Sequence, residues 1–172
     1  MNNIPDVRPF LSSEWQIYKD LRLRALADSP NAFSRTLAEE QGRSDDEWVK
    51  RLEKGAIPDW DLPLFAKVAG VPAGIAWGHI ETATPEIAHL YQVWVAPNYR
   101  GLGIGQMFLE AVISWAKKRN AKSLDLGVTQ ADSPAMRLYI SAGFRPTGKV
   151  EALRPGSELL CQELRLDLDK AA

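Results

Sequence analysis

Cysteine and histidine are scarce in this chain. Its 172 residues include one cysteine, Cys161, and two histidines, His79 and His89. A single thiol excludes an internal disulfide and suits a reducing cytoplasm. One thiol and two imidazoles are too few for a convincing zinc set, and no dense Asp/Glu loop suggests calcium, so no metal is expected. Cys161 lies in an alternating apolar run and reads as a buried small residue rather than a nucleophile. No stretch of about 18 apolar residues occurs, so no membrane-spanning helix is expected. Met1 to Phe10 contains Pro5, Asp6 and Pro9 and no apolar block, unlike a secretory signal. A surplus of one charge sign is missing too. Lys plus Arg is 21 against 22 for Asp plus Glu, without the basic excess of a nucleic-acid binder. These absences together predict a soluble cytoplasmic protein with neither a nucleic-acid nor a membrane partner.

Apolar residues make up 45% and charged residues 25%, as in an ordinary globular protein. The length suits one domain, 1–172, and no linker divides it. Ile4–Leu11 reads as a strand. A helix is expected from Glu14 to Ala27, capped by Ser12 or Ser13, with Trp15, Tyr18, Leu21 and Ala25 at helical spacing. Asp28-Ser29-Pro30-Asn31 stops it. Ser44 with Glu47 has capping-box spacing and opens a second helix that Gly55 ends. Strands are expected at Leu62–Ala69, Ala73–Thr82 and Glu86–Val95, with a turn at Gly70-Val71-Pro72. A helix then runs to Lys118, followed by a strand at Ser123–Thr129. The next helix opens at Asp132-Ser133-Pro134 and ends at Gly143. Phe144–Val150 and Glu158–Leu168 close the chain as a hairpin. The order implies a mixed sheet with helices on both faces.

The most informative segment is Tyr91-Gln92-Val93-Trp94-Val95-Ala96-Pro97-Asn98-Tyr99-Arg100-Gly101-Leu102-Gly103-Ile104-Gly105. A strand enters a glycine-rich turn that opens a helix. The first N–H groups of a helix lack internal partners and carry partial positive charge. Glycines let an anion approach that backbone closely. Arg100 adds a cation at the mouth of the loop. The glycine spacing is neither the Rossmann nor the Walker pattern. By itself it also fits a turn that merely lets helix and strand pack closely.

Arg100-x-x-Gly103-x-Gly105 resembles the acyl-CoA pyrophosphate motif of the GNAT superfamily of N-acetyltransferases. Ala135-Met136-Arg137-Leu138-Tyr139-Ile140-Ser141-Ala142-Gly143-Phe144 resembles the A-x-x-L-Y-x-x-x-G-F helix of the same family. The two motifs stand in order with one strand between them, and the similarity spans about Leu62 to Val150. The resemblance implies a single-domain α/β fold. Its sheet is mixed and mostly antiparallel, with two splayed parallel central strands, Glu86–Val95 and Ser123–Thr129. It further implies acetyl-CoA as cosubstrate, its pantetheine beside Val93, Trp94 and Val95, and its pyrophosphate on Arg100, Gly101, Leu102, Gly103, Ile104, Gly105 and Gln106. One position departs: where many members have Asn, this chain has Asp132, which can cap a helix but cannot donate to the cofactor.

Acetyl transfer to an amine requires loss of an amine proton, a donor for the oxyanion and protonation of the departing thiolate. The resemblance places the Tyr139 phenol near the sulfur as proton donor. His89 is the candidate base, on a strand face that period-two alternation would share with Tyr91, Val93 and Val95. His79, Glu81 and Glu86 are rivals, and bound water without a dedicated base is the alternative. Trp15, Phe33, Trp48, Trp60 and Trp77 can line an acceptor pocket or fill the core. The acceptor, a small-molecule or peptide amine, is not specified. A homodimer through the C-terminal strands is allowed. The reading from another class is a non-catalytic acyl-CoA-binding module, which would need neither Tyr139 nor an open acceptor cleft.

Overall fold

A computed structural model describes residues 3–57 and 59–169. Residues 1, 2, 58 and 170–172, parts of the expected single domain, lie outside the described residues. The order is β1 (Pro5–Pro9), α1 (Trp15–Asp28), α2 (Leu37–Gln41), α3 (Asp45–Gly55), β2 (Asp61–Val68), β3 (Val71–Ile80), β4 (Ile87–Val95), α4 (Ile104–Lys118), β5 (Ser123–Thr129), α5 (Pro134–Ser141), β6 (Arg145–Ala152) and β7 (Leu160–Asp167). Among the described residues, seven strands form one sheet in the order β1-β2-β3-β4-β5-β7-β6. Every pairing is antiparallel except β4 with β5.

Helices cover both faces, each over its own apolar core. On one face α4 and α5 set Phe108, Val112, Trp115 and Tyr139 against Leu64, Ala76, Leu90, Leu124 and Leu126. Side chains such as Phe108 and Val112, fully buried, each stabilise the fold by about 1.5–3 kcal/mol. On the other face α1 and α3 set Tyr18, Leu21, Trp48 and Leu52 against Phe65, Ile75, Trp77 and Trp94.

Several local expectations are corrected. Neither Ser12 nor Ser13 caps α1. They lie in a 3-10 turn, and the Leu11 N–H is taken instead by Glu14 Oε1 at 2.7 Å. The β2–β3 turn lies at Ala69-Gly70, both with positive φ, so that β3 already begins at Val71. Helix α2 was not anticipated; Thr36 caps it by accepting from the Glu39 N–H. Ser133, not Asp132, caps α5 by accepting from the Met136 N–H at 3.1 Å, while Asp132 pairs with Arg137. Cys161 is only partly buried. The Ser44–Glu47 capping box on α3 is present in full.

One irregularity shapes the centre of the molecule. Opposite β3, the register of β4 slips from Trp77↔Tyr91 to Ile75↔Trp94, so β4 holds one extra residue. Gln92 takes up the excess with φ of 60°, a conformation strained for a residue with a side chain. The Tyr18 hydroxyl holds it by donating to Gln92 Oε1 at 2.7 Å. Gly74 makes the bulge possible, because a Cβ there would stand 2.6 Å from the Trp94 carbonyl oxygen.

Candidate active site

The parallel pairing of β4 and β5 runs only from Ile87↔Ser123 to Leu90↔Leu126. Beyond it, β4 pairs with β3 alone and β5 with β7 alone. The two strands therefore splay apart, and residues 91–95 present an edge without a strand partner on the β5 side among the described residues. An extended ligand can add to such an edge through main-chain hydrogen bonds.

The glycine loop lies at the end of that edge. Gly101 and Gly103 both have φ of 83°, and a Cβ at either would meet nothing within 4 Å. Their backbone demands glycine while the space above them is open. Gly103 starts α4, and the first bond back to it comes from the Met107 N–H at 3.0 Å. The N–H groups of Ile104, Gly105 and Gln106 precede the regular helical ladder. A diphosphate fits this cradle in shape and charge. Gly105 has a different reason to be glycine: its Cβ would lie 3.2 Å from Leu138, so it lets α4 pack on α5. Ile104 is buried in the core, so only its main chain faces the cradle. Leu102 is exposed, and Gln106 donates to Glu110 at 3.0 Å.

Arg100 does not stand free at the loop mouth. Its Nε donates to the Val95 carbonyl at 2.9 Å and its Nη2 to Asp28 Oδ2 at 2.7 Å. Asp28 also accepts from Trp94 Nε1 at 3.0 Å and from Ser29 Oγ at 2.7 Å. No local pattern announces this hub, which ties the end of α1 to β4 and to the glycine loop. Hydrogen bonds from Trp94, Ser29 and Arg100 hold the Asp28 carboxyl down at about 2. A lowered pKa means the ionised form stabilises the fold fully above the ordinary value of 3.8, and that this contribution is lost as pH falls through about 2. Asp28→Ala is expected to cost about 1 kcal/mol and to abolish a Trp94 fluorescence change between those two pH values. An unaltered acid titration in the variant would refute the hub.

The bulge also corrects the expected strand face. His89 and Tyr91 share one face, their rings stacked 5.7 Å apart, but Val93 and Val95 face the α4–α5 core instead. Trp94, expected beside the cofactor, sends its indole into the α1–α3 core, so only its main chain borders the gap. Tyr139 lies on the same side as Val93 and Val95. It is 6% exposed and packs edge-on against Phe144 at 5.7 Å. Burial pushes its phenol up to about 12, and its hydroxyl has no hydrogen-bond partner among the described residues.

On the opposite face a polar row crosses the sheet. Register sets Asp61 beside His79, His79 beside His89, His89 beside Asp125 and Asp125 beside Arg165. His79 is held between Asp61 at 2.7 Å and Glu81 at 2.9 Å. Asp125 is buried and takes two hydrogen bonds from Arg165, at 2.7 and 2.8 Å. Among the described residues His89 has no such carboxylate clamp. Burial lowers its pKa, partly offset by Asp125. Of the aromatic candidates, Phe33, Trp48 and Trp77 are buried, whereas Trp60 is exposed and Trp15 partly so. Glu86 lies just before β4, its carbonyl accepting from the Lys122 N–H at 2.7 Å.

Comparison with known proteins agrees with this geometry. Residues 17–144 match the model of the acetyltransferase (GNAT) family. The mycothiol acetyltransferase of Acidothermus cellulolyticus is 33% identical over 134 residues, 74% of this chain and 40% of that protein. The streptothricin acetyltransferase of Streptomyces lavendulae is 38% identical over 99 residues, 58% of this chain and 47% of that protein. The chain thus spans less than half the length of these two relatives. The structure of yncA from Salmonella typhimurium, solved with its cofactor acetyl-CoA, superposes with a TM-score of 0.79. It is 18% identical, over 98% of this chain and 96% of that one, a likeness of fold.

Proposed function

Since the chain belongs to the acetyltransferase (GNAT) family, we propose that it carries acetyl from acetyl-CoA directly to a primary amine of a small molecule or peptide, in a ternary complex, and that residues 1–172 act as one domain. The observation that carries this reading is the splay of β4 from β5, with the open glycine cradle at its end. Pantetheine adds to the Val93–Val95 edge from the α4–α5 side, with the diphosphate on residues 101–106. The acceptor arrives from the opposite face, where His89 and the 44% exposed Tyr91 lie. The thioester carbon then sits in the gap between the two faces. Acid and base approach it from opposite sides: Tyr139 protonates the departing thiolate and His89, directly or through water, takes the amine proton.

A depressed His89 pKa keeps its imidazole neutral at pH 7, the form a base requires. Turnover at saturating substrates should therefore fall only as pH drops below the ordinary histidine value of 6.5. His89→Gln should lose that limb and about 10²-fold in kcat. The test is thiol release from acetyl-CoA against a panel of amines, read as a pH profile. An unchanged profile in His89→Gln would leave the proton to water alone. No heat of binding with coenzyme A would defeat the whole reading.

The lone cysteine and the lack, among the described residues, of a helix long and apolar enough to cross a membrane suit the proposed cytoplasmic setting. A homodimer through the C-terminal strands would have to use β6, the sheet edge. Pro146, Lys149 and an irregularity between Pro146 and Val150 guard that edge against pairing, so the activity is assigned to a single chain.

A further inference from the structure

Helix α1 carries a charge that the gap and His89 leave unused. Arg22 is 4% exposed and lies one turn beyond Tyr18, the residue that holds the Gln92 bulge. Its Nη2 reaches Glu40 Oε1 at 3.4 Å, while Nε and Nη1 have no acceptor among the described residues. A guanidinium cannot shed its charge at any ordinary pH, and buried donors without acceptors are costly.

Its one anionic partner is shared. Glu40 also accepts from Arg51, through Nη1 and Nη2 at 3.3 Å each, and from Arg43 Nε. Three guanidiniums therefore converge on one carboxylate, leaving an excess of positive charge with unfilled donors.

Arg22 is enclosed by Glu40 of α2 and by the loop that precedes it. Phe33, between α1 and α2, lies over the guanidinium at 5.1 Å. The loop is fastened from across the cleft. Thr129 donates to the Asn31 carbonyl at 2.6 Å, and Arg154 Nη2 to the carbonyls of Pro30 and Phe33 at 2.7 Å each. Both anchoring groups come from the far wall, one from the end of β5 and one from the β6–β7 connection. Phe33 also belongs to the edge of the α1–α3 core, so a ligand that reaches Arg22 must displace that ring.

We infer that Arg22 receives a carboxylate of the acceptor beneath Phe33, so that the molecule acetylated is an amine that also carries a carboxyl group. The inference rests on the acetyl-transfer reading above and names its substrate class.

The test uses the whole chain, labelled with ¹⁵N and saturated with coenzyme A. The Nε–H resonance of Arg22, assigned by through-bond correlation to its side-chain carbons in ¹³C,¹⁵N-labelled chain, is followed as glutarate is added. A saturable displacement is expected with glutarate and none with glutaramide, its uncharged counterpart. In the thiol-release assay glutarate should compete with the amine. Lysine should exceed cadaverine in kcat/KM by roughly tenfold or more, and Arg22→Lys should narrow that ratio while coenzyme A binds as before. A resonance unmoved by glutarate overturns the inference, and so does displacement without competition against the amine. If glutarate moves the resonance but no amine of the panel releases thiol, the carboxylate site stands and the acetyl-transfer reading falls. The first readout uses the unmutated chain, so it survives a variant that fails to fold.

Discussion

Tyr139→Phe is expected to lower kcat by about 10²- to 10³-fold while leaving coenzyme A affinity unchanged. The phenol is buried, and burial places its pKa at about 12. A raised phenol pKa means the neutral, proton-bearing form dominates throughout the working range. The group can therefore donate to a thiolate at pH 7 or 9 alike, and it should contribute no basic limb to the pH profile below about 11. The usual objection to such a variant is that the fold suffers. Here the hydroxyl has no hydrogen-bond partner among the described residues, so its removal strands no other group. Phenylalanine keeps the ring and its edge-on contact with Phe144. Stability should be unchanged or slightly higher, and a denaturant midpoint beside single-turnover thiol release separates the two effects. Loss of activity in a variant as stable as the parent assigns the proton to this hydroxyl. Full activity would remove Tyr139 from the chemistry and leave the departing thiolate to take its proton from water.

Much of the cofactor side was legible because it depends on short, local rules. Gly101 and Gly103 are required by positive φ, Ser123–Thr129 alternates regularly, and Pro134 marks the start of α5. The acceptor side was not legible, and for reasons that can be named. Alternation assumes an unbroken pleat, so one extra residue at Gln92 was enough to turn Val93 and Val95 away from His89. Helix α2 is five residues, LAEEQ, too short and too charged to give a periodic signal. Ala69 at φ of 51° put the turn one residue ahead of its obvious glycine. The Asp28 hub joins residues 66 and 72 positions apart, which no local pattern encodes. Arg22 and Glu40 read along the chain as ordinary surface charges, since such residues are seldom buried. Only the packing of α1, α2 and α3 together takes them out of water.

That buried charge cluster makes the largest stability prediction. Glu40 is 1% exposed, and three guanidiniums depend on it. Glu40→Gln should destabilise the fold by about 3–5 kcal/mol, because removing one partner leaves buried charge uncompensated. For a domain of total stability about 5–15 kcal/mol this is a large share, visible as a shift of the urea midpoint. The pH dependence follows in sign. Burial pushes the Glu40 carboxyl up, but hydrogen bonds from Arg43 and Arg51 and the nearby positive charges outweigh it, and the net shift is downward. Its stabilisation is therefore complete above the ordinary value of 4.5 and is lost as pH falls through the lowered one. The glutamine variant should lack that acid limb. A cost below about 1 kcal/mol for Glu40→Gln would mean that water reaches the cluster. The variant also bears on specificity. If Arg22 accepts a carboxylate from outside, glutarate should restore part of the stability lost in Glu40→Gln, rising with its concentration as binding to the folded state alone requires. Glutaramide should restore none, because what the glutamine variant lacks is negative charge, which only the dianion brings.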